Sequence, residues 1–271
     1  VSGEAVTMLS HPKTGPQQWK LFDNRRNKWY KFAQRIFNKV LLKNYADVIK
    51  ALKKDGALDD LNYTVTEALK KGLPAWEKAY KKVYLSVGLD FATFINAGFT
   101  KSIGGIESKG TESDWRAGIK DYLLLEGGQK ITLVNETTRK AMMKSLGIVV
   151  ADGGGADEMA TRLATDSQIS QMRALKISRT EVINASNLGS FTAAETVGIP
   201  LNKKWLATSG NRTRPTHVAA NGQTVKMQAF FSVGGSKLKF PGDTSQGAKA
   251  KEVINCRCTQ TYEPILDEGM L

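Results

Sequence analysis

Between residues 19 and 43 apolar and cationic side chains alternate at helical spacing, and this periodicity constrains the fold more than any other feature of the chain. Trp19, Phe22, Trp29, Phe32, Ile36 and Val40 recur at steps of three, four and seven, which aligns them along one side of an α-helix. Lys20, Arg25, Arg26, Lys28, Lys31, Arg35, Lys39 and Lys43 are interleaved with them. Continued to Lys54, such a helix is about 50 Å long at about 1.5 Å per residue. Its apolar stripe must be covered by another helix or a partner protein, while the cationic face is available to phosphates or acidic surfaces.

The charge belongs to this front segment. Residues 1–54 carry 12 Lys and Arg against Glu4, Asp23 and Asp47, a net +9 of the +13 of the whole chain. The other 217 residues hold only +4. Hydrophobic residues make up 41% of the 271, enough for buried cores. The longest apolar runs, 148–151 and 122–125, are far too short to cross a bilayer, and no charged-then-apolar leader opens the chain. A soluble, non-exported protein without membrane contact is expected. Cys256 and Cys258, the two cysteines, are one residue apart, a spacing that disfavours a bridge between them.

A second helix is marked by Pro74 and by Trp76, Tyr80, Val83, Val87, Phe91 and Phe94 at steps of three and four. Gly98 and the Gly104-Gly105 pair supply a stop. Residues 56–63 read as a turn region before a short helix around 65–71. The front hundred residues therefore read as a helical hairpin or small bundle. Gly, Ser and charged residues over 101–114 read as a connection between the two halves, or equally as a surface loop inside one larger domain. The expected division is a basic helical arm over 1–110 and a second domain over 111–271.

Residues 115–200 again look helical, in stretches 136–146, 156–164 and 167–197, with a break at Asp152-Gly153-Gly154-Gly155. No GKS or GKT follows those glycines, so they form no phosphate loop. After Pro200 come strand-like segments at 204–208, 225–232, 238–240 and 259–262, punctuated by Ser209-Gly210-Asn211, Asn221-Gly222, Gly234-Gly235 and Pro241-Gly242-Asp243. The expected class is α+β: long amphipathic helices in the N-terminal half, then helices plus a small, mainly antiparallel sheet in the C-terminal domain.

The back domain carries an ordered set of short motifs: Arg179-Thr180-Glu181, Lys203-Lys204-Trp205-Leu206, Arg212-Thr213-Arg214-Pro215-Thr216-His217, Asn221-Gly222, Phe240-Pro241-Gly242-Asp243 and Asn255-Cys256-Arg257-Cys258. Over residues 140–265 this set resembles the C-terminal signature of the phage Mu F-like head-morphogenesis family, minor head proteins of tailed bacteriophages. In many members His-Pro precedes the Asn-Cys-Arg-Cys; here Val253 and Ile254 stand in those places.

Read as residues alone, Arg179, Glu181, Arg212, Arg214, Asp243 and Arg257 are charges set beside apolar residues, of the kind that pair when partly buried and tie loops to a small sheet. A metal site from His217, Cys256, Cys258 and Asp243 has suitable donors. The C-x-C spacing and the missing family histidine count against it, and neither metal nor cofactor is expected. The family has been likened in fold to ADP-ribosyltransferases, which hold NAD with Arg, Ser or Thr, and Glu. Arg179, Thr180 and Glu181 have those types but occupy one helix, where consecutive side chains diverge, so no catalytic residue is assigned. An ADP-ribosyltransferase-like enzyme acting on NAD or nucleic acid is the alternative.

The resemblance implies a structural protein of the virion, inside the phage head and in the host cytoplasm during assembly. Its implied partners are the portal, the major capsid protein, or both. A basic helical arm would contact packaged double-stranded DNA without reading sequence.

Overall fold

In a computed structural model the chain is described over residues 14–54, 57–102, 109–167, 170–208 and 210–265. Gly56, Gly104, Gly105 and Ser209, named above as punctuation, lie outside those residues. The described elements are α1 (Gly15–Leu52), α2 (Leu61–Lys70), α3 (Leu73–Ser102), α4 (Glu112–Ala151), α5 (Ala156–Asp166), α6 (Ser170–Glu195), β1 (Leu201–Leu206), α7 (Pro215–Ala220), β2 (Thr224–Lys226), β3 (Phe231–Val233), β4 (Ser236–Leu238), α8 (Ala250–Val253) and β5 (Thr259–Pro264). The class is α+β. No described helix is long and apolar enough to cross a membrane.

The described residues form two compact units, one drawn from 14–31, 83–125 and 179–265, the other from 32–82 and 126–178. Each therefore draws helical segments from both sides of residue 110.

In the first unit an antiparallel sheet has the order β2-β1-β5, with Lys203 opposite both Val225 and Tyr262. A separate β3–β4 hairpin pairs Phe231 with Leu238. Sequence alternation suggested one strand over 225–232. A turn instead divides it, with Ala229 N–H donating to Lys226 O and Met227 N–H to Leu201 O. Trp205, Ala220, Phe231, Val233, Leu238, Cys256 and Cys258 form one core cluster. Helical residues add aromatic packing: Phe22 stacks on Phe91 at 6.1 Å, and Tyr122 meets Phe240 at 5.8 Å.

In the second unit Tyr45, Val48, Leu52, Val65, Leu69, Met142, Leu146, Met159 and Leu163 share a core. Phe37, Trp76 and Tyr80 add an aromatic cluster. Asp60 caps α2 by accepting from Tyr63 N–H at 2.8 Å, satisfying one of the helix's unpaired first-turn donors.

The α3 stripe is buried as its spacing predicts: Trp76, Tyr80, Val83, Val87, Phe91 and Phe94 are all in the core. The α1 stripe is rotated from its predicted line, with Phe22 and Val40 of the predicted set still buried. Trp19, Trp29, Phe32 and Ile36 are only half-buried, and Ala33, Phe37, Leu41, Tyr45 and Val48 take the interior. The two tryptophans lie at the boundary because their indole N–H groups have polar partners there, Arg257 O at 2.8 Å and Asp90 Oδ2 at 2.8 Å.

Candidate functional site

Proline at the first position of a helix loses no intrahelical bond, and Pro215 starts α7 in this way. His217 follows on its inner side, only 2% exposed, with its ring edge-on to Trp205 at 5.8 Å and 81°. Arg214 fixes the start of α7 by donating from Nη2 to Ile254 O at 2.5 Å. At the other side of the site α8 presents Glu252. The chain then turns through Asn255, whose φ of 55° is left-handed, into Cys256-Arg257-Cys258 and β5. The Asn255 N–H donates to Thr180 Oγ1 at 3.1 Å, anchoring this turn to α6.

These elements converge on one buried centre. His217 Nδ1 lies 3.2 Å from Cys258 Sγ and 3.6 Å from Cys256 Sγ, and its Nε2 lies 3.1 Å from Glu252 Oε2. The donor atoms of His217, Cys256 and Cys258 all fall within 4.8 Å of one another. Thr216 Oγ1 donates to the same Glu252 oxygen at 2.8 Å, and Cys258 N–H donates to Cys256 Sγ at 3.4 Å. Glu252 fits because position 234 is glycine: a Cβ there would stand 2.7 Å from the Glu252 carboxyl carbon.

The environment polarises the cluster. Hydrogen bonding from Cys258 holds the Cys256 thiol well below its ordinary pKa against burial, and His217 adds to the shift. The same contact with Cys256, together with burial, pushes Cys258 up. Burial opposes a charged imidazole at His217, yet its hydrogen bond to Cys256 and the charges of Cys256 and Glu252 raise its pKa overall. Chemically this is a thiol donor pair beside an imidazole oriented by a carboxylate. Cys256 and Cys258 are 2% and 1% exposed, whereas reactive cysteines occupy partly exposed surroundings.

The other motif positions serve separate contacts. Asp243 does not join the cluster. Its Oδ2 accepts from Lys239 N–H at 2.8 Å and Ser245 Oγ at 3.0 Å, and its Oδ1 accepts from Ser245 N–H at 2.9 Å. Arg179 is exposed, Thr180 faces Asn255, and Glu181 accepts from the Tyr84 hydroxyl at 2.6 Å. Those three side chains do not converge. Arg212 and Arg257 are exposed and Trp205 is fully buried.

On α1, Arg26 is corrected from a cationic face to a core residue. It is 0% exposed and donates to Ser186 Oγ at 2.7 Å, Asn187 Oδ1 at 2.9 Å and Thr259 Oγ1 at 3.2 Å. Arg25 and Lys28 pair with Asp90, and Lys43 with Asp47. Lys20, Lys31, Arg35 and Lys39 are exposed, and helical spacing puts them within one sector of α1.

Three residues that hold this region together escaped the sequence reading. Glu252 orients His217. Asn187 Nδ2 donates to Pro241 O at 2.8 Å and Cys258 O at 3.1 Å, and Asn184 Nδ2 donates to Gly242 O. The asparagines, three apart on α6, had one available signal: buried-helix spacing filled by amides.

Residues 138–261 match the family model described as Phage Mu protein F like protein. The minor head protein GP7 of Bacillus phage SPP1 is 25% identical over 255 residues, covering 90% of this chain and 80% of that protein. The NAD(+)–arginine ADP-ribosyltransferase EFV of Enterococcus faecalis (strain ATCC 700802 / V583) is 32% identical over 111 residues, 40% of this chain. This chain spans only 22% of that transferase's length. No solved structure matches. Over residues 138–261, with the His217 and Asn255-Cys256-Arg257-Cys258 motifs inside that span, the chain is similar to the phage Mu protein F-like family.

Proposed function

We propose that this protein is a minor structural component of a tailed-phage head, acting during head assembly beside the portal or the inner capsid surface and residing in the virion. The observation that carries the reading is the similarity to the SPP1 minor head protein across 90% of the chain. A match so extended includes the helical front as well as the family domain. The outward cations of α1 suit contact with packaged DNA through phosphates alone, which requires no base-reading element.

The test is duplex binding by the full chain across a salt series. Replacing Lys20, Lys31, Arg35 and Lys39 together with glutamine should lower the slope of log K against log salt by about 3 to 4, at about 0.9 per phosphate contact. An unchanged slope would remove DNA from the reading and direct the search to a head protein as the partner of this helix.

The transferase similarity favours a second reading, an ADP-ribosyltransferase-like activity. It is confined to 40% of the chain, and Thr180 and Glu181 bond to different partners while Arg179 is exposed. Incubation with NAD and an arginine-bearing acceptor should yield no transfer; NAD-dependent labelling abolished by Glu181→Gln would overturn the structural reading in favour of the enzyme.

A further inference from the structure

We propose that His217, Cys256 and Cys258 form a zinc-binding site, with Glu252 as the carboxylate that positions the imidazole. The inference is independent of any role in a phage head. It begins from the spacing of the donors. In a tetrahedral zinc site, bonds of about 2.3 Å to sulfur and about 2.0 Å to nitrogen set the nitrogen–sulfur edge near 3.6 Å. The two Nδ1–Sγ separations here are 3.2 and 3.6 Å. Two sulfurs and one imidazole are a donor set that borderline-soft Zn2+ favours over the hard cations.

The surroundings are those of a metal site. Ligating histidines characteristically donate their other ring N–H to a carboxylate, and His217 Nε2 lies 3.1 Å from Glu252 Oε2. The Cys258 N–H directed at Cys256 Sγ stabilises negative charge on that sulfur. The left-handed Asn255 turn and the Asn187 bond to Cys258 O fix the two-sulfur loop before any ion arrives. Full burial of both sulfurs is incompatible with attack on a bulky substrate but not with holding an ion. Because zinc takes thiolates and a neutral imidazole, binding of the dication displaces the protons that the cluster holds, and the described residues of the cluster supply three of the four tetrahedral donors.

The short C-x-C spacing is no obstacle, because the third donor comes from α7, about forty residues earlier in the chain. Asp243 is excluded from the set, since its oxygens serve the 239–245 loop.

The experiment uses the full chain, purified under reducing conditions, stripped with a chelator, and titrated with Co2+ and then Zn2+. The expected result is saturable binding of about one ion per chain, with thiolate-to-cobalt charge-transfer absorption that zinc displaces. Cys256→Ser and Cys258→Ser should each abolish that absorption. Because those variants risk misfolding, Glu252→Gln provides a milder test: it should keep the absorption and weaken zinc binding by about 10–100-fold, measured against a competing chelator. A folded wild-type chain with a featureless cobalt spectrum and no saturable zinc overturns the proposal. So does a spectrum that survives both serine variants.

Discussion

Gly189 of α6 lies against Gly88 of α3 so closely that a methyl group on Gly189 would stand 2.7 Å from the Gly88 Cα and collide with its carbonyl. Backbone cannot yield as a flexible side chain can, so the two helix segments would be forced apart. Gly189→Ala should destabilise the protein by about 2–3 kcal/mol, seen as a lower denaturant midpoint. Gly128, in the middle of α4, has open space where a Cβ would go. There alanine should stabilise by about 0.5–1 kcal/mol through helix propensity and unfolded-state entropy. Equal effects at the two positions would show that the helices do not touch at Gly189.

Arg26 is a buried cation whose hydrogen-bond acceptors are all uncharged side chains. Burial lowers its pKa, countered mainly by Tyr30 and Asp23. Arg26→Ala leaves a cavity and takes one donor away from each of three buried oxygens, on Ser186, Asn187 and Thr259, and should cost about 2–4 kcal/mol. Arg26→Met fills most of the volume and should cost distinctly less. In DNA titrations Arg26→Met should leave the salt slope of the wild type intact, since this side chain does not reach solvent. Urea denaturation of both variants checks the order.

Lys203 is fully buried in β1, donates to Lys239 O at 2.7 Å, and has its ammonium 4.9 Å from the Phe191 ring centre. Burial lowers its pKa from 10.5 to about 8, against the raising effect of Asp243. Between those values the unfolded chain holds a proton that the folded chain has lost. Stability therefore rises with pH across that window, and below about pH 8 the folded state carries the full penalty of a buried ammonium. The gain is at most about 3 kcal/mol. Relative to Lys203→Met, the wild type should gain stability from pH 7.5 to 10; a constant difference between them would show that Lys203 keeps its proton throughout.

Much of the helical layout was legible because α3 keeps one regular apolar face, from Trp76 to Phe94, in the core. The 40-residue α4 was seen only in pieces. Leu124, Leu125 and Leu133 lie on its exposed surface at 81%, 80% and 57%, and they blur the contrast that periodicity needs. Arg26 looked like its cationic neighbours because its acceptors come from α6 and β5, far along the chain. The donor types at His217, Cys256 and Cys258 were visible. Their convergence was not, since nothing local to Glu252 or α7 marks either as a neighbour of the C-x-C pair.

The turn before the cysteines supplies a last test, because Asn255 is the non-glycine residue with positive φ among the described residues, at 55°. Asparagine tolerates this region, glycine enters it freely, and β-branched residues are strained there. Asn255→Gly should therefore be close to neutral. Asn255→Val should lose about 1–2 kcal/mol, and because this turn delivers Cys256 to His217, it should also disturb the two sulfurs. Thiol labelling under native conditions reads that directly: slow in the wild type and in Asn255→Gly, faster in Asn255→Val. Valine that leaves both stability and labelling unchanged would mean that the left-handed turn does not hold the C-x-C loop in place.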